Sequence, residues 1–196
     1  MANLHVIYIP GLGDHRLRRQ DRVVHFWRHY GVEPEVFQMN WGDKEPWQPK
    51  FKRLLERIDE LHAEGHAVAL VGISAGASAA INAFAARKNL IVGVVCIAGK
   101  INRPETIHPI HNRKNPAFVT SVHDCQQALK NLGPTDRKRI LSRFGIYDEL
   151  VKPADSRIPG AGNHYAPAAF HAVTIAMQIT LGAPSLLRFL KRLSRF

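Results

Sequence analysis

Residues 68–80 read VALVGISAGASAA and set Ser74 between Gly72 and Gly76, where an apolar run gives way to alanine-rich sequence. A serine hydroxyl attacks a carbonyl only when a neighbouring base takes its proton, so a serine that does chemistry must be exposed and within reach of one. A sharp strand-to-helix turn supplies the exposure. Small residues at 72 and 76 leave room for a strained backbone and a closely packed helix, and the hydroxyl projects away from the sheet. Gly-x-Ser-x-Gly alone is a loose pattern, because glycine and serine crowd into ordinary turns. The strand before it and the helix after it make this instance specific.

Other chemistries find little support. GLGDHR and GAGNHY begin like dinucleotide fingerprints but carry Arg16 and Tyr165 where the third glycine belongs, and no phosphate-loop lysine follows a glycine run. His25 and His29 have helical i, i+4 spacing, but HFWRH lacks the glutamate of a zinc protease helix, and HAEGH places Glu64 at the wrong position. Cys96 and Cys125 are too few for a disulfide framework or a zinc site, and Cys96 reads as a buried small hydrophobe. No cofactor and no metal are expected.

With 196 residues, 45% of them hydrophobic and 22% charged, the chain is sized for one folded domain, 1–196. Its N-terminus has a short apolar run without a basic leader, and the expected location is cytoplasmic. The 27 Lys+Arg against 16 Asp+Glu give a net charge of +11. The basic residues are dispersed, at Arg16, Arg18 and Arg19, at Arg137, Lys138 and Arg139, and along the final helix, and no nucleic-acid motif accompanies them. Specific nucleic-acid binding is not expected; the charge favours anionic ligands in a general way.

The elements that must position Ser74 alternate. Strands are expected at 4–9, 35–41, 66–72, 90–99 and 139–148, with a last short edge strand in SRIPG, and helices at 18–30, 48–65, 75–89, 120–133, where Gly133 ends it, and 166–182. This βαβ rhythm predicts a three-layer α/β/α sandwich around a mainly parallel sheet of about six strands. Residues 100–135, rich at first in proline, asparagine and histidine, interrupt the rhythm and are expected to form a small cap or lid. His108 and His111 in that segment read as loop histidines that could line a pocket. The final SLLRFLKRLSRF is a basic amphipathic helix, expected to pack its Leu186, Phe189, Leu190 and Leu193 face on the sheet; weak association with anionic surfaces is the alternative.

The chain resembles the α/β-hydrolase fold family along nearly its whole length. VALVGISAGA looks like that family's nucleophile elbow, VIYIPGLGD like its first core strand and oxyanion loop, FGIYDELV like its strand-end acid motif, and GAGNHY like the loop bearing its histidine. The resemblance implies a minimal version of the fold lacking the first two strands. It also implies a serine hydrolase of the carboxylesterase type acting on a small acyl substrate, with Ser74 as nucleophile, Asp148 as acid and His164 as base. The backbone amides of Leu12 and Ala75 would meet the oxyanion.

Acyltransferase or thioesterase chemistry on the same three residues, or a hydrolase fold that only binds, remain as alternatives. Asp155, Asp124 and Glu149 stay open as the acid, and His171, inside the expected last helix, reads as structural. Only 15 residues lie between Asp148 and His164, so the excursion that usually separates acid from histidine must be trimmed.

Overall fold

The apolar runs become six strands, β1 Leu4–Ile9, β2 Glu33–Val36, β3 Ala67–Ile73, β4 Ile91–Ile97, β5 Ile140–Tyr147 and β6 Gly162–Ala169. They form one all-parallel sheet in the order β2-β1-β3-β4-β5-β6. The computed structural model describes residues 3–16 and 18–195; the side chains of Arg16 and Arg18, two of the basic residues noted above, lie outside that description. The helices are α1 Arg18–His25, α2 Trp47–Ala63, α3 Ala75–Ala86, α4 Ile110–Lys114, α5 Pro116–Lys130, α6 Pro134–Arg137, α7 Pro153–Ser156, α8 His171–Ile179 and α9 Ala183–Leu193.

A parallel sheet is covered on both faces, which is why its strands are apolar throughout rather than alternating. Ile7, Ile9, Leu70, Val94, Cys96 and Ile140 pack against α2, α3 and α5 on one face. Val6, Tyr8, Val71, Val95, Ile97 and Leu141 pack against α1, α8 and α9 on the other. The final helix lies on that second face through Leu186, Leu187 and Leu190.

The order in which strands are added reverses between β1 and β3, because β2 lies on one side of β1 and every later strand on the other. Such a switch point leaves a crevice at the carboxyl ends of the strands. Ile9 is in register with Gly72 there, so the chain leaving β1 through Pro10 and Gly11 runs beside the chain leaving β3 into Ser74.

Four elements differ from their sequence expectations. The second strand ends at Val36 rather than Trp41; Pro34 suits its edge position, and Asn40, at φ 52°, turns the chain away. The first helix extends to His25 and tightens into a 3-10 turn over Phe26–Tyr30.

The edge strand is not SRIPG. That segment satisfies its polar backbone through the Asn163 side chain, whose oxygen accepts from Ile158 N–H at 3.0 Å and whose amide donates to the carbonyls of Ile158 and Ala161 at 2.8 and 3.0 Å. The edge is β6, formed by residues expected partly as loop and partly as helix. Its Ala166 and Ala168 are buried while Pro167 and Ala169 face out, a strand alternation that alanine's helical preference obscures.

Segment 100–135 divides in two. Its second half, α5, is part of the layer beside α3, burying Phe118, Val122, Cys125 and Leu129. The first part borders a cavity through Thr106, Ile107, His108 and His111, and α5 reaches it only at Phe118. Leu129→Ala should therefore lower the stability of the whole fold by about 2 kcal/mol, the low end for a truncated core leucine, measured as a shift in the urea midpoint. A detachable cap would leave that midpoint unchanged.

Candidate active site

Three carboxyl-terminal strand ends bring three polar side chains together. Ser74 follows β3, Asp148 follows β5, and His171 opens α8 after β6. His171 Nε2 lies 3.0 Å from Ser74 Oγ, and His171 Nδ1 lies 2.8 Å from Asp148 Oδ2.

Ser74 holds φ 51° and ψ −114°, a left-handed conformation costly for a residue with a Cβ. The turn is held in place by backbone bonds: Ser74 N–H donates to Ile97 O, and Lys100 N–H donates to Ser74 O, both at 3.0 Å. A Cβ at Gly76 would overlap the carbonyls of Ile9 and Pro10, and one at Gly72 would strike the Ala77 backbone. Both glycines are required by this approach of α3 to β1 and β3, as the turn pattern predicts.

Asp148 is buried. Its Oδ1 accepts from the backbone amides of Leu150 at 2.9 Å and Val151 at 2.7 Å, leaving Oδ2 to the imidazole. Burial alone would raise its pKa, but the hydrogen bond from His171, the Val151 and Leu150 amides and the charge of the imidazole outweigh it and hold the carboxyl below its usual range. An ionised Asp148 is acceptor-only, so Nδ1 of His171 carries the proton and Nε2 presents its lone pair to the Ser74 hydroxyl.

The other acids are engaged elsewhere. Asp155 binds Lys100 at 3.1 Å and Arg103 at 2.6 Å, Asp124 accepts from the Trp47 indole at 2.9 Å, and Glu149 accepts from the His171 backbone amide at 3.0 Å. Glu149 thereby caps the first turn of α8 and fixes the residue that carries the imidazole.

The histidine that meets Ser74 is thus His171 and not His164. His164 sits on β6 beside Arg143, with an exposed side chain. It lies five residues before the end of the strand, roughly 16 Å short of the strand ends at about 3.3 Å per residue. The misreading follows from the boundary of the last helix. With 166–182 read as helix, His171 falls in a helix interior; with β6 running to Ala169, it becomes the first helical residue at the sheet edge. Phe170, at φ 70°, makes the corner between them. The alternation across 165–169 is the sequence signal that points to it.

Gly11, Leu12 and Gly13 lie beside Ser74 at the rim of a cavity of about 940 Å³. This loop is braced from behind: Trp41 Nε1 donates to Pro10 O at 3.1 Å, and Asn40 N–H donates to Asp14 Oδ2 at 2.5 Å. Ala75 is the first residue of α3, and the first N–H groups of a helix have no intrahelical carbonyl to bind.

The cavity has an apolar wall of Val23, Ile175, Ala176 and Ile179, faced by Thr106, Ile107, His108 and His111. Burial, then the nearby charges of His108 and Lys114, hold the His111 imidazole below its usual pKa. Arg19, Lys100 and Glu149 also line this space. Among the described residues, no single helix is long and apolar enough to cross a membrane.

No protein-family model matches the chain, and no curated protein does. Solved structures do. A structure from work on LipS and LipT, two metagenome-derived lipolytic enzymes, superposes with a TM-score of 0.71 at 11% identity, covering 97% of this chain and 94% of the other. The monoacylglycerol lipase of Paleococcus ferrophilus gives 0.66 at 15%, covering 98% and 97%. Est1E from Butyrivibrio proteoclasticus gives 0.68 at 14%, covering 100% and 89%.

The depressed carboxyl of Asp148 links stability to pH. A group whose folded pKa lies below its unfolded value stabilises the fold above the unfolded value, about 3.9 for Asp, and loses that contribution as pH falls through the folded value. Asp148→Asn should be less stable than the natural chain at pH 7, and the gap in urea midpoints should close as the pH is lowered below 4. A gap independent of pH would contradict the assigned ionisation.

Proposed function

From a chain with the α/β-hydrolase fold, we propose a serine hydrolase that cleaves an ester or related acyl bond, with Ser74 as nucleophile, His171 as base and acid, and Asp148 as the orienting carboxylate. The observation that carries this reading is the hydrogen-bonded row from Ser74 Oγ through His171 to Asp148, at 3.0 and 2.8 Å, opening on a cavity with an apolar wall. The lipolytic and esterase names among the structural relatives agree with it.

In the reaction, His171 Nε2 takes the Ser74 proton as Oγ bonds to the acyl carbon. The resulting imidazolium is stabilised by the ionised Asp148. The negative oxygen of the tetrahedral intermediate is met by the amides of Leu12 and Ala75, donors worth roughly 3 kcal/mol each in comparable sites. Collapse breaks the bond to the leaving alcohol, which departs with the proton from His171. Water then repeats the sequence on the acyl-enzyme, and Ser74 recovers its proton. The wall of Val23, Ile175 and Ile179 suits an alkyl or acyl chain, with Arg19, Lys100, His108 and His111 offering polar contacts around it, and a small acyl ester is the substrate class this lining fits best. The two buried free cysteines accord with a reducing, cytoplasmic setting.

The test separates the two histidines. A fluorophosphonate probe should label the natural chain at Ser74 and fail to label Ser74→Ala. With p-nitrophenyl esters of increasing chain length, His171→Gln and Asp148→Asn should each lower kcat by about ten-thousand-fold or more, while His164→Gln stays within a few-fold of the natural chain. A correctly folded protein that takes no label would support a binding role instead. Faster ester cleavage on addition of an alcohol acceptor would favour acyl transfer.

A further inference from the structure

At the edge of the sheet opposite Ser74, the amino-terminal ends of three neighbouring strands bring two imidazoles and a carboxylate together. His5 on β1 is in register with Glu33 on β2, and His66 immediately precedes β3, whose Val68 pairs with His5. Gly65, in the left-handed region at φ 86°, ends the turn after α2 and delivers His66 to that edge. Glu33 Oε2 lies 3.7 Å from His5 Nδ1 and 3.5 Å from His66 Nδ1. One donor atom from each residue lies within 4.8 Å of the other two.

The protonation of His5 is set by its other nitrogen. Arg57 binds the Glu35 carboxylate through Nε at 3.0 Å and Nη2 at 2.8 Å, which keeps Glu35 ionised and acceptor-only. His5 Nε2 therefore carries a proton and donates it to Glu35 at 3.0 Å. In the neutral ring Nδ1 is then a bare lone pair. It is buried, with the residue only 9% exposed, has no hydrogen-bond partner, and faces a second carboxylate at a separation too long for a hydrogen bond. A buried ring nitrogen facing a carboxylate across such a gap, with no hydrogen-bond partner of its own, leaves a place for a cation between them.

We infer that His5, Glu33 and His66 form a binding site for one divalent cation of the zinc class, clasping the β2, β1 and β3 strands at their amino-terminal edge. A tetrahedral zinc with bonds of about 2.0–2.1 Å spaces its ligands about 3.3 Å apart. The two separations to Glu33, 3.5 and 3.7 Å, need a few tenths of an ångström of contraction, which the exposed Glu33 side chain can supply, and the third, between the two imidazoles, is within 4.8 Å and closes by movement of the half-buried His66 ring. Two nitrogens and one oxygen suit zinc, cobalt or nickel; magnesium and calcium prefer all-oxygen sets.

The outer partners are of the kind that orient metal ligands. Glu35 holds His5, Asn3 Nδ2 donates to the other oxygen of Glu33 at 3.3 Å, and Glu64 lies 3.8 Å from His66 Nε2. A solvent molecule would complete the tetrahedron on the exposed side. No contiguous zinc spacing announces the site because its ligands come from three separate strand starts.

The test uses the full chain without a polyhistidine tag, stripped of metal and titrated with Zn²⁺ and Co²⁺. One equivalent should bind, Co²⁺ should give the visible absorption of a tetrahedral site, and Zn²⁺ should raise the melting temperature. Glu33→Gln and His66→Ala, both at positions open to solvent, should each weaken Zn²⁺ binding by about 100-fold or more and remove the melting shift. Far-ultraviolet circular dichroism checks that the variants are folded; His62→Ala should bind as the natural chain does. No cobalt spectrum and no melting shift in the natural chain would overturn the site, as would undiminished affinity in folded Glu33→Gln and His66→Ala.

Discussion

The first turn of α3 lies so close to the end of β1 that position 76 has no space for a side chain beside the Ile9 carbonyl. Everything at the carboxyl edge of the sheet depends on this contact. It fixes α3 against β1 and β3 and forces the corner at Ser74 into a left-handed backbone, which turns the hydroxyl out of the sheet. The same approach brings the Gly11–Leu12 loop alongside the serine. A bulkier helix start would push α3 outward and separate Ser74 from the Gly11–Leu12 loop and from the His171 imidazole.

This constraint is also what made the serine legible. A close approach of backbone to backbone writes itself into sequence as glycine at fixed offsets, and a strand-to-helix corner as apolar residues followed by alanine. Asp148 was legible for a related reason: it follows an uninterrupted apolar strand, and its partners are amides two and three residues on, contributed locally. The histidine carries no such local mark. Its position depends on where β6 ends, and β6 is an edge strand of alanine, proline and polar residues whose type is decided by pairing with β5. Period-two burial of Ala166 and Ala168 is a weak signal beside alanine's helical preference, so the strand is read as helix and the imidazole shifts by seven residues.

Segment 100–135 shows the same limit at a larger scale. Its prolines and asparagines correctly mark an interruption, but α5 returns to the layer beside α3, filling a place that the regular alternation would have given to a helix between β4 and β5. Buried polar bonds register it there: Asn82 donates to Ser121 O at 2.8 Å, and the hydroxyls of Ser78 and Ser121 meet at 2.6 Å. What remains beside the cavity is held by Asp155, which binds Lys100 and Arg103 through its carboxylate and accepts from the amides of Ile101 and Asn102 through its carbonyl. The cavity wall on that side is therefore tied to α7 and to the sheet, whereas Leu12 and Leu150, which also line the cavity, are exposed.

A parallel sheet has two unlike ends, and in this chain both gather ionisable side chains. At the carboxyl end the strands finish in loops whose lengths can vary, so residues distant in sequence converge on a crevice where the sheet order reverses. At the amino end the strands begin in register, and convergence requires only that neighbouring starts carry suitable side chains. His5, Glu33 and His66 meet there through register alone. The edge strand β2 is only four residues long and includes a proline, and it pairs with β1 alone. The ion pair of Glu35 with Arg57 of α2 already fastens that strand from the helix side. A cation held between Glu33 and the two histidines would fasten it from the sheet side, at the start of a short ladder with a neighbour on one side only.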